Sequence, residues 1–129
     1  MLTQIKTDTT VKDGTYYLAK AADCWDEMLV LLRLLKANGV KHSLDYSKLV
    51  DVEDSINELA TSEDTERRKQ LLEELDQKVR YLNATVLNRP LIEEADKFND
   101  LGTRLMSTSS DLLINFKWAR RLYKKELGV

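Results

Sequence analysis

The sequence predicts an all-α protein, an antiparallel bundle of about four helices ending in a long C-terminal helix. Three observations carry that prediction. Apolar residues recur in steps of three and four along four segments, which places them on single helical stripes. Only four Gly and one Pro interrupt 129 residues. The composition is 33% charged and 43% apolar, the balance of helical rather than disordered chains. A length of 129 residues suits one domain with one core, spanning residues 1–129.

Residues 1–9 carry Leu2 and Ile5 without a period and are expected to form a flexible start. The first helix begins between Thr10 and Thr15, where Thr10-Val11-Lys12-Asp13 is set like a capping box, and Asn38-Gly39 stops it. Tyr17, Ala21, Cys24, Met28, Leu31 and Leu35 form one stripe; Leu18, Ala22, Trp25, Leu29 and Leu32 form the next. Near its end the helix is apolar almost all round, the pattern of a helix covered on more than one side. A second, acidic helix starts at Ser43 or Asp45, with Tyr46, Leu49, Val50, Ile56 and Leu59 inward. Thr61-Ser62-Glu63-Asp64 ends it and caps a third helix running to Leu87, with Leu72, Leu75, Val79, Leu82 and Val86 on its inner stripe.

Pro90 opens the last segment, since proline suits the first turn of a helix. Small residues recur every seventh position there, at Ala95, Gly102 and Ser109, beside Leu91, Phe98, Leu105 and Leu112. The apolar face also takes in Ile92, Met106 and Leu113. Gly102 and the caps Ser107–Ser110 argue for a break between 102 and 110. The uninterrupted register argues for one helix to Leu127, and that reading is favoured. The small column then marks where the first helix approaches closely.

Net charge is −2, with no global pull toward nucleic acid or an acidic membrane. Locally, residues 44–66 hold eight acids and one base, and residues 117–129 hold five bases and one acid. These stretches can face each other, within one chain or between copies. A lone cysteine, Cys24, forms no internal disulfide and reads as a buried thiol in a reducing, cytoplasmic setting. No secretory leader or membrane span is expected, because the longest apolar stretch, Met28 to Leu35, is short and broken by Arg33.

Chemistry finds little footing. A di-iron or zinc site needs several His or Cys ligands, whereas His42 is the single histidine and stands in a polar loop. No metal or cofactor is expected. Cys24 has no histidine on its helix, Ser107–Ser110 have no local base, and the scattered glycines form no phosphate loop. Glu73-x-x-Asp76 and Glu93-x-x-Asp96 each set two carboxylates on one helix face, a spacing that can hold Mg²⁺ against phosphates. This resembles the acidic pairs on successive helices of all-α nucleotide pyrophosphohydrolases, and implies Mg-dependent nucleotide hydrolysis as an alternative. Both pairs lie off the apolar stripes, so a non-enzymatic protein is the leading expectation.

The C-terminal segment offers the better surface. Ile114 and Trp118 are four apart, on a face away from Leu105, Leu112 and Phe116. Trp with a neighbouring Arg is a common interface anchor. Ile114, Lys117, Trp118, Arg121 and Lys125 are therefore the predicted partner-binding residues. Either this face is clamped between two internal layers of the chain, or it meets a protein partner, a second copy or an unidentified one. Aromatics among bases also suit nucleic acid, which leaves a nucleic-acid-binding accessory protein as a further alternative.

Overall fold

The computed structural model describes residues 13–44, 46–49 and 51–128. Among the described residues five α-helices follow one another: α1 (Gly14–Ala37), α2 (Val52–Thr61), α3 (Thr65–Val86), α4 (Arg89–Ala95) and α5 (Leu101–Leu127). A 3-10 turn, Tyr46–Leu49, precedes α2, and no strand occurs among the described residues. The all-α bundle read from periodicity is the fold. The flexible start expected over residues 1–9 and the cap expected at Thr10 lie outside the described residues.

Local chemistry sets the ends of α1. The Asp13 carboxylate accepts the Tyr16 N–H at 2.9 Å, filling one of the donors a helix start leaves open. At the other end Gly39 takes φ 73°, and the Val40 N–H returns to the Leu35 carbonyl at 2.9 Å. Both predicted stripes supply buried residues, among them Leu18, Trp25, Met28, Leu31 and Leu35. Each such side chain contributes about 1.5–3 kcal/mol when fully buried. The helix is nevertheless not covered all round, since Val30 and Leu34 are exposed. Those two lie four apart on the side of α1 turned away from Trp25, Met28 and Leu32, which the bundle buries.

The second segment is not one helix from Ser43. Asp51 stands in the left-handed region at φ 68° and divides the 3-10 turn from α2. Leu49, Ile56 and Leu59 are buried as expected; Val50 and the Tyr46 side chain lie outside what the structure describes. Asp64 then caps α3, accepting the Arg67 N–H at 3.2 Å.

Pairings along the helices give the topology. Thr15 bonds Tyr123, Tyr17 stacks on Trp118 and Glu27 bonds Arg104, so α1 and α5 run antiparallel. Arg68 lies over Tyr123, Glu73 bonds Arg120 and Asn83 bonds Ser109, so α3 and α5 do as well. The Glu58–Arg67 ion pair spans the tight α2–α3 turn. Neighbours around the bundle alternate in direction, and one buried cluster draws on all five α-helices.

The last segment is two helices, not one. α4 ends at Ala95, and α5 starts at Leu101 after a turn in which Asn99 and Asp100 take φ 52° and 57°. Asn and Asp tolerate that region better than most residues. A Cβ on Gly102 would overlap the Ile92 carbonyl oxygen and the Asp96 carboxylate, so α4 rests directly on α5 there. Asp96 Oδ1 accepts the Thr103 N–H at 2.7 Å, satisfying a first-turn donor of α5. The break thus precedes Gly102, and Ser107–Ser110 sit inside the helix. Ser109 is buried, and Asn83 Nδ2 donates to its hydroxyl at 2.8 Å and its carbonyl at 3.2 Å. The small column therefore has no single neighbour: Gly102 meets α4 and Ser109 meets α3. Met106, expected on the inner face, is 45% exposed.

No helix among the described residues is long and apolar enough to cross a membrane.

Candidate interaction face

The predicted partner-binding residues occupy the outward side of α5. Ile114 is 53% exposed and Trp118 43%, the former the most open of the large apolar side chains named as exposed. Lys117, Arg121 and Lys125 are exposed beside them. Steps of three and four carry all five along one surface of the helix.

Trp118 is held in place. Its ring stacks on Tyr17 of α1, with centroids 6.1 Å apart and an interplanar angle of 27°. Arg121 lies over the same indole at 5.4 Å from the centroid. On the far side Tyr16 meets Tyr17 edge to face at 5.1 Å, and Lys20 lies 5.6 Å from the Tyr16 centroid. Three aromatics thus form a row with a cation at each end. Aromatic pairs and exposed cation–π contacts each contribute about 0.5–1.5 kcal/mol, enough to fix side-chain directions. Tyr17, expected on the core stripe, is half-buried and forms the margin of this face.

A groove of about 720 Å³ opens along the same side of the bundle, nearer the start of α5. Leu87, Ile92 and Met106 give it apolar walls, Ser107 and Ser110 a small-residue floor, and Glu93 stands at its edge. Sequence reasoning missed it. It exists because α4 crosses α5 at Gly102, and that crossing was hidden in an unbroken apolar register. The signal available was Asn99-Asp100 followed by Gly102.

The other sequence candidates are dispersed. Glu73 bonds Arg120 at 2.8 Å and Lys124 at 3.0 Å; these cations hold its carboxyl below the usual carboxylate range. Asp76 pairs with Arg80 at 3.0 Å, Glu93 with Arg89 at 2.8 Å, and Asp96 serves α5. The two acid pairs are not brought together, and no group of three or more His, Cys, Asp or Glu is set to hold a metal among the described residues. The basic C-terminal stretch meets α3 through Glu73, not the acidic stretch 44–66, where Glu58 takes Arg67 and Glu66 takes Lys69. Cys24 is half-buried rather than buried; desolvation first and then Asp111 push its thiol pKa up, against a hydrogen bond with Asn115. That keeps it a weakly nucleophilic thiol. His42 accepts the Leu44 N–H on Nδ1 at 3.2 Å, and burial lowers its pKa.

Comparison with known proteins finds no match: no family model, no curated protein and no solved structure is significantly similar to this chain. The functional reading rests on the face itself.

Proposed function

We propose that this chain is a non-enzymatic interaction protein that associates with itself through the outward side of α5. One observation carries the reading. Ile114 and Trp118 stand in solvent at 53% and 43% exposure although the bundle buries Phe116 and Ala119 beside them. Trp118 is also pre-oriented by Tyr17 and Arg121. A rigid, exposed Trp beside Arg is the composition of interface hot spots, and pre-orientation lowers the entropic cost of docking. The lone Cys24 fits a reducing, intracellular setting.

Sedimentation velocity from low to high micromolar concentration tests the reading. The sedimentation coefficient of the wild-type chain should rise with concentration. That of Trp118→Ala should stay at the monomer value while its helical circular dichroism is retained. A wild-type chain that stays monomeric throughout overturns self-association, and a Trp118→Ala chain that associates like wild type overturns the choice of face.

A further inference from the structure

We infer that the partner is a second copy docked about a twofold axis near Ser110, with the two α5 helices antiparallel and the Ile114–Trp118 knob of each in the groove of the other. This rests on the self-association proposed above and specifies its geometry.

The knob and the groove lie on the same exposed side of α5. Met106 and Ser107 in the groove precede Ile114 and Trp118 by seven to twelve residues, a separation of about 10–18 Å along the axis. They also lie on opposite flanks. Trp118 leans toward α1, where it stacks on Tyr17, whereas Ile92 and Glu93 place the groove beside α4. A twofold axis perpendicular to α5 exchanges both ends and both flanks. Passed through the midpoint, near Ser110, it sets each knob against the opposite groove in one step. Such a contact is isologous and closes as a dimer.

Shape and charge agree with that operation. Ser107 and Ser110 occupy the crossing point, where small side chains let two helices approach. Ile114 and Trp118 meet Leu87, Ile92 and Met106, so four of the six large apolar residues exposed among the described residues become covered together. Arg121 lies over Trp118, so inserting the indole carries a guanidinium to the groove edge, where Glu93 stands 65% exposed with Arg89 on its Oε1 at 2.8 Å. The helix dipoles also oppose each other favourably when the two α5 helices run antiparallel. A standard interface takes about 800 Å² from each partner, near a tenth of the 7760 Å² this chain exposes.

Charge reversal tests the geometry. Glu93→Arg alone would bring two guanidinium groups together at both contacts of the dimer. Arg121→Glu alone would bring two carboxylates together at both. Each variant should be folded by circular dichroism and should dimerise at least tenfold more weakly than wild type. Mixed in equal amounts, they should form a heterodimer in which the two reversed side chains meet each other. One contact then pairs the two introduced charges and the other pairs the native Glu93 and Arg121, so both are of opposite sign and affinity returns to near the wild-type value. Sedimentation of the mixture, with one variant fluorescently labelled, reads this directly. A wild-type chain that dimerises while the mixture remains as weak as its components overturns the twofold pairing and leaves self-association standing. A wild-type chain that never dimerises overturns both.

Discussion

The two flanks of α5 treat their charges differently. Toward α3 the cations are engaged within the chain: Arg120 and Lys124 close on Glu73, and Arg68 lies over Tyr123 at 3.8 Å from Glu126. Toward α1 one cation is engaged near the start of α5, Arg104 on Glu27 at 3.1 Å; farther along the margin is aromatic, and Arg121 rests on Trp118 without an acid among the ion pairs of the described residues. The α3 flank fixes how two helices of one molecule register. Its contribution to stability is limited, because Arg68 and Arg120 each keep a buried Nε without an acceptor. The α1 flank and the outward surface keep their apolar rings and cation available. The difference favours association on the outward surface. It also makes the basic C-terminal stretch a weaker nucleic-acid surface than its sequence suggests, since Arg120 and Lys124 already face a carboxylate.

Two aromatics on α5 put the contrast to its largest test. Phe116 is 2% exposed and Trp118 43%. Truncating Phe116 to Ala should cost about 3–5 kcal/mol in urea unfolding, by lost transfer energy and the cavity left behind. Trp118→Ala should cost less, about 1–2.5 kcal/mol, from its contacts with Tyr17 and Arg121 together, while removing association. Equal losses of stability would mean that Trp118 belongs to the core and that the surface has been misplaced.

Gly102→Ala comes next in size. In an ordinary helix interior this change gains about 1 kcal/mol. Here the new methyl meets the Ile92 carbonyl and the Asp96 carboxylate, and overpacking costs about 1–3 kcal/mol. The urea midpoint should fall. A rise would mean that α4 does not cross at Gly102, and with the crossing the groove would go.

How much of this was legible follows from the same residues. The stripes of α1 and α3 and the cap at Asp64 could be read because period and capping chemistry are local. Ile114 and Trp118 could be read as a second face because they fall off the stripe of Leu112 and Phe116. The turn between α4 and α5 could not, because Phe98 packs on the core from within it and so preserves the apolar spacing. Ser107–Ser110 carry the composition of a break, yet Ser109 spends its hydroxyl on Asn83 inside a continuous helix. The groove is a tertiary product of that turn, and only the crossing of α4 shows which way Met106 faces. Tyr17 sits at the boundary of two stripes, and only the position of α5 decides that it edges the surface.

The smallest expected effect sharpens the α3 flank. Hydrogen bonds from Arg120, then Lys124, depress the Glu73 pKa. A carboxylate whose folded pKa lies below its unfolded one stabilises the fold above the unfolded value, about 4.3, and loses that contribution as pH falls through the folded value. Glu73 is half exposed, so solvent screening holds the effect under about 1 kcal/mol. The stability difference between wild type and Glu73→Gln should therefore be small and favour wild type near neutral pH. It should shrink with added salt and fade as the solution is acidified below the usual carboxylate range. The Trp118 surface holds no such carboxylate contact, since Trp118 meets the Tyr17 ring and Arg121. Glu73→Gln should leave dimerisation at the wild-type strength, since Glu73 is engaged with Arg120 and Lys124 and not with the Trp118 surface. If Glu73→Gln abolished dimerisation instead, the ionic cluster on α3 would be the associating surface and the assignment of the two flanks would have to be exchanged.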